Sequence, residues 1–142
     1  MMDIEKVAQH AIEQGLKIHR DLGPGMLESL YESVLSTQLL RSGISVERQK
    51  PITIEYAGIV YADSFRIDLL LEDKLIIEVK SVEQLAPIHT RQILTYLRMA
   101  RLPLGLLMNF GAPTFREGLK RVVNNYTAPP SSPLLINQIR EN

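Results

Sequence analysis

The 142-residue chain has no cysteine, no tryptophan, no net charge and no long apolar run. Without cysteine there is no disulfide, no zinc–thiolate centre and no cysteine nucleophile, which fits a reducing cytoplasm. No apolar run approaches the roughly 18 residues of a membrane span, and the opening MMDIEKVAQH lacks a signal-peptide core. Lys plus Arg number 16, as do Asp plus Glu, so bulk positive charge cannot be the means of holding a nucleic acid. The balance hides two unlike halves. Residues 1–80 hold 9 basic and 13 acidic side chains, and residues 81–142 hold 7 and 3.

Hydrophobic residues make up 45% of the chain and charged residues 23%, enough apolar material for a packed core. The expectation is a small soluble cytoplasmic domain over residues 1–126. TAPPSSP, after Tyr126, reads as a linker, which makes 127–142 a tail, loose or partner-bound. Ile4, Val7, Ala8, Ala11, Ile12 and Ile18 recur at helical spacing behind a capping Asp3, which predicts a helix from Asp3 to Asp21. A second helix is expected over Met26 to Ser42, with Leu27, Leu30, Tyr31, Val34, Leu35 and Leu39 facing inward. From Ile44 to Lys80 the period falls to two, giving strands near 44–57, 59–71 and 74–80. Pro87 opens a third helix reaching Arg101, Leu104–Phe110 reads as a buried strand, and Phe115–Asn124 as a final helix or strand. The order ααβββαβ indicates one α/β domain with a mixed sheet flanked by helices.

Charges inside apolar strands need partners. Asp68 lies in FRIDLLL, and Glu78 and Lys80 lie in LIIEVK, where alternation puts both on the face opposite Val79. Register decides whether the acids meet. A two-residue turn at Glu72-Asp73 pairs Asp68 with Ile77 and sends Glu78 to the other face. A three-residue loop over 72–74 pairs Leu71 with Leu75 and Asp68 with Glu78, and this second arrangement is the one expected. Two adjacent carboxylates suit a hard divalent cation such as Mg²⁺. Lys80 can then orient water or steady negative charge on a phosphate, or else neutralise Glu78 or Asp68 in a salt bridge.

Asp68 followed by Glu78-Val79-Lys80 resembles the core of the PD-(D/E)XK nuclease superfamily, with Ile67 standing where the family has proline. Gln92 and Tyr96 form a Q-x-x-x-Y pair resembling that of the superfamily's exonuclease-like branch, with His89 on the same helix face. Gly25-Met26-Leu27-Glu28-Ser29-Leu30-Tyr31 is similar to the G-x-x-E-x-x-Y signature of a family of small bacterial proteins within it. His19 to Pro24 and the LLMNF strand also look like that family, so the resemblance runs from about His19 to Val123.

The resemblance implies a restriction-endonuclease-like fold and a metal-dependent nuclease. Glu28, Asp68, Glu78 and the Val79 carbonyl would hold Mg²⁺ or Mn²⁺, Glu28 either directly or through water. Asp68, Glu78, Lys80, Gln92 and Tyr96 would carry the chemistry, with Tyr31 in the core or donating a hydrogen bond behind the site. His19 is either an open-mouth ligand or a helix-end histidine bonded to backbone. Arg91, Arg98 and Arg101 are substrate-side candidates that could track a phosphate backbone. The five tyrosines and three phenylalanines are not interleaved with basic residues, so base stacking is not evident. The implied partner is nucleic acid, DNA ahead of RNA, with a homodimer or protein partner helping a neutral domain to hold it. The alternative is a catalytically silent nuclease fold serving as a binding or scaffold protein in an oligomer or larger complex.

Overall fold

The computed structural model describes residues 2–127 and the backbone of 138–140. In chain order the elements are α1 (Ile4–Leu22), α2 (Glu28–Arg41), β1 (Val46–Tyr56), β2 (Ile59–Leu71), β3 (Leu75–Lys80), α3 (Pro87–Ala100), β4 (Leu104–Asn109), α4 (Phe115–Gly118), β5 (Leu119–Val123) and β6 (Gln138–Arg140). One mixed sheet runs β1-β2-β3-β4-β5-β6. The β3–β4 and β5–β6 pairs are parallel and the others antiparallel. The α3 crossover supplies the long connection that a parallel β3–β4 pair requires. This is the mixed-sheet α/β architecture of a restriction-endonuclease-like fold.

Helices cover both sheet faces, so the central strands are apolar on both sides. On one face Val7, Ala8, Ala11, Tyr31, Leu35 and Leu39 of α1 and α2 pack against Leu69, Leu71, Ile77, Val79 and Leu106. On the other, Ile93 and Leu97 of α3 pack against Ile67, Leu70, Ile76, Leu107 and Val122. Parity places Val79 toward the α1/α2 layer, and Glu78, two residues past Ile76, toward α3.

Several boundaries differ from the sequence reading. Asp3 caps α1 as expected, its carboxylate accepting from the Lys6 N–H at 3.0 Å. The second helix starts later, at Glu28, and its inward stripe is Tyr31, Leu35 and Leu39, flanked by Glu32 and Ser36. Leu27 and Leu30 are exposed instead of inward, because Leu27 lies in the entry turn and Leu30 faces away from that stripe. The segment 115–124 holds both a helical turn and a strand, with Thr114 accepting from the Glu117 N–H as the helix cap. Of the expected tail, 128–137 and 141–142 lie outside the described residues, and Gln138–Arg140 pairs with β5.

Candidate active site

Leu71 pairs with Leu75, Leu70 with Ile76 and Leu69 with Ile77, so the β2–β3 connection is the three-residue loop 72–74. Glu72 and Asp73 take the left-handed backbone that so short a loop needs. This register sets Asp68 opposite Glu78, where the backbone ladder ends and side chains take over. The Val79 N–H donates to Asp68 Oδ2 at 2.9 Å, and the Asp68 N–H donates to Glu78 Oε1 at 3.3 Å. The two side chains are close enough that the Asp68 carboxyl acts on the Glu78 carboxyl and raises it. An extended residue points its N–H and C=O to the same side, so the Val79 carbonyl also faces Asp68.

Glu78 is buried, and that burial, with the Asp68 charge added and Lys80 opposing, pushes its carboxyl up to about 9. Lys80, half-buried at the strand end, makes no side-chain hydrogen bond or ion pair among the described residues. The salt bridge open to it on sequence grounds is therefore not formed. Its charge is nevertheless felt by Glu78 and Glu28.

Glu28 comes from the opposite layer. Partial burial raises its carboxyl, Lys80 lowers it, and Asp68 and Glu32 raise it. Its place follows from the turn before α2. Gly23 (φ 71°) and Gly25 (φ 107°) adopt conformations that favour glycine. The part-buried hydroxyl of the core residue Tyr31 donates to the Gly23 carbonyl and accepts from the Met26 N–H at 3.2 Å. Ser81, next to Lys80, donates to the Met26 carbonyl at 2.6 Å. The Tyr31 ring stacks on Phe110 with centroids 4.6 Å apart. The glycine, glutamate and tyrosine of the G-x-x-E-x-x-Y pattern thus work together: the tyrosine fixes the turn that sets the glutamate beside the site.

From the α3 side, Gln92 Nε2 donates to the Tyr96 hydroxyl at 2.8 Å, and the Tyr96 ring stacks on Phe65 at 4.3 Å. Burial first, then the Glu78 charge, raises the Tyr96 phenol, with Asp68 adding to it, so this residue borders the acidic pair. Arg91 lines an open groove with Ile88, Gln92, Thr95 and Tyr96. Arg98 lies in the last helical turn and Arg101 caps the helix, about 9 and 13 Å along the axis from Gln92. His89 accepts from the Ala86 N–H at 3.0 Å and serves the helix start. His19 is buried and donates to the Ala112 carbonyl at 2.8 Å, the backbone-bonded alternative.

Sequence reasoning missed Glu32, Arg48 and Gln49. Gln49 Nε2 donates to Glu32 Oε1 at 2.6 Å and to Asp68 Oδ1 at 3.2 Å, while Arg48 pairs with Glu32 at 3.0 Å. One turn separates Glu32 from Glu28, a spacing that marks a shared face but not a contact with β1. Glu28, Glu32, Gln49 and Asp68, with Leu27 and Ser29, line an open depression of about 370 Å³.

Among the described residues no three acidic or histidine side chains form one cation-holding cluster. Asp68 and Glu78 meet, and Glu28 approaches them from α2, near enough to feel the charges of Lys80 and Asp68. Two adjacent carboxyls on neighbouring strands, the Glu78 one raised to about 9, form a hard oxygen donor set that a divalent cation fits, since Mg²⁺ takes one or two carboxylates and completes its shell with water.

The fold and site define a class: an α/β protein whose sheet presents an acidic pair and an unpaired lysine at one strand end. The chain belongs to the PD-(D/E)XK nuclease superfamily, whose family model matches residues 5–122. No curated protein and no solved structure gives a significant match. Among the described residues no helix is long and apolar enough to cross a membrane.

Proposed function

We propose that the protein is a divalent-cation-dependent nuclease of the G-x-x-E-x-x-Y branch, hydrolysing phosphodiester bonds in nucleic acid, with DNA ahead of RNA. The observation that carries this reading is the hydrogen-bonded Asp68–Glu78 pair beside a lysine that neutralises neither of them. Asp68 and Glu78, with the Val79 carbonyl, would hold Mg²⁺ or Mn²⁺. The cation supplies charge neutralisation for the phosphate and favours ionisation of the attacking water. Lys80 holds water or a phosphate oxygen on the Glu78 side, where its ammonium is free to form new hydrogen bonds. Tyr96, oriented by Gln92 and Phe65, borders the same carboxylates and can donate to a phosphate oxygen. Glu28, whose carboxyl feels the Lys80 charge, would reach the cation directly or through a bound water from the other layer, and Arg91 would meet the flanking phosphate.

Cleavage of single- and double-stranded DNA and RNA with Mg²⁺ or Mn²⁺ tests the reading, with Lys80→Ala as control. Activity undiminished by that substitution rejects it. One observation favours a second reading, a silent scaffold or homodimer. The β1–β2 hairpin tip exposes Tyr56, Ile59, Val60 and Tyr61, an apolar surface suited to protein contact. Sedimentation as an oligomer, together with no calorimetric Mg²⁺ or Mn²⁺ binding in the presence of oligonucleotide, would select it.

A further inference from the structure

We infer that Gln49 is a positioning residue that sets the Asp68 carboxylate, using Glu32 as its anchor. The inference rests on the nuclease reading in one respect, that Asp68 is a cation ligand.

Gln49 lies inside β1 yet has φ 50°, a left-handed conformation uncommon for a side chain with a Cβ. Arg48 pairs with Leu69 and Lys50 with Ile67, while the intervening Gln49 and Asp68 are absent from the ladder. A residue acting only to staple β1 to β2 would keep its ladder bonds. Here the backbone gives them up, and the side chain makes the connection instead. Such strain persists where the surroundings hold it, and it gathers at sites that need a fixed geometry.

The amide at this break does a specific job. Its single nitrogen donates to Glu32 and to Asp68, two carboxylates that would otherwise repel across the depression. Glu32 is buried and held in turn by Arg48, so the anchor is itself fixed. Asp68 then receives one N–H on each oxygen, from Gln49 on β1 and from Val79 on β3. Two donors on opposite sides of a carboxylate fix the plane in which its remaining lone pairs lie. The chain Arg48–Glu32–Gln49–Asp68 also ties α2, the carrier of Glu28, to β2.

The test uses the full chain and two readouts. Gln49→Met keeps length and removes the donor, Glu32→Leu removes the anchor, and Glu32→Gln keeps an acceptor. Mn²⁺ affinity is read by electron paramagnetic resonance, and the Val79 amide by NMR without cation. Gln49→Met and Glu32→Leu are each expected to weaken Mn²⁺ binding about tenfold, as loss of a residue that orients a metal ligand does. Both should shift the Val79 amide and speed its hydrogen exchange, and the double variant should be no worse than either alone. Glu32→Gln should stay within about twofold of the parent. A Val79 amide unmoved in Gln49→Met overturns the inference, as does Mn²⁺ affinity within about twofold. A parent protein that binds no Mn²⁺ rejects the nuclease reading instead, and the Val79 measurement, which needs no cation, then decides the role of Gln49.

Discussion

Val79 and Asp68 hold each other across the end of the β2–β3 hairpin, the N–H of one donating to Oδ2 of the other at 2.9 Å. A side chain here replaces a backbone partner at the point where β2 and β3 part. The contact keeps one Asp68 oxygen occupied and leaves Glu78 beside it, buried and carrying a proton that a cation must displace.

That proton gives the first prediction. The Glu78 carboxyl is raised from 4.5 to about 9 by burial and then by Asp68. An acid with a higher pKa folded than unfolded keeps an extra proton in the folded chain between those two values. Without cation its contribution to stability is full below about pH 4.5 and is lost as pH rises toward about 9. Mn²⁺ binding should therefore release up to one proton, and its apparent affinity should rise by up to about tenfold per pH unit through the neutral range. Calorimetry in buffers of different ionisation enthalpy measures this directly. Glu78→Gln should abolish both effects and raise the cation-free thermal midpoint at pH 8 by about 3 °C.

Those parts of the site that depend on alternation and loop length were legible in the sequence. Once 72–74 forms the loop, Leu71 must face Leu75 and Asp68 must face Glu78, because a strand has only two faces. Gln92 and Tyr96 were legible for the same kind of reason, since four residues on a helix return to one face. Gln49 was not. Its contacts depend on a left-handed backbone inside a strand, which no periodicity announces. Glu32 reads as an ordinary helix-surface acid until Arg48 and Gln49 cover it from a strand folded back over α2. Leu27 is exposed because it lies in the entry turn that the Tyr31 hydroxyl holds, a side-chain bond that apolar spacing does not report, and Leu30 because it faces away from the inward stripe of α2.

The second prediction concerns that turn. Tyr31→Phe keeps the ring stacked on Phe110 but strips the Gly23 carbonyl and the Met26 N–H of their shared partner. With the hydroxyl part-buried, a loss of about 1–2 kcal/mol is expected in urea denaturation. A turn held by its glycines alone would leave the midpoint unchanged.

Asn109 locks the segment that follows Lys80. Its Oδ1 accepts from the N–H groups of Val82 and Gly111, both at 3.0 Å, and its Nδ2 donates to the Val82 carbonyl at 2.9 Å. The side chain is fully buried, so Asn109→Leu leaves three backbone groups without their partner. A destabilisation of about 3 kcal/mol or more is expected, read from the same denaturation curves. Faster hydrogen exchange should begin at Val82 and Gly111, before the central strands open.

Lys80 separates the enzymatic reading from a structural one most directly. A lysine that served to neutralise buried acids would sit in an ion pair, and its loss would destabilise the fold by leaving a charge unpaired. Lys80 has no such pair among the described residues, although Glu28 and Glu78 both feel its charge. Lys80→Met should therefore leave the thermal midpoint nearly unchanged. Removing a positive charge from beside the acidic pair should also leave Mn²⁺ affinity equal or slightly tighter. The turnover number, by contrast, should fall by about 10²–10³, the usual loss when a group that stabilises transition-state charge is removed. Single-turnover cleavage with Mn²⁺ saturating in both proteins isolates this step. Large destabilisation with little change in rate would instead make Lys80 a structural counter-charge, and the hydrolytic role proposed for it would fall.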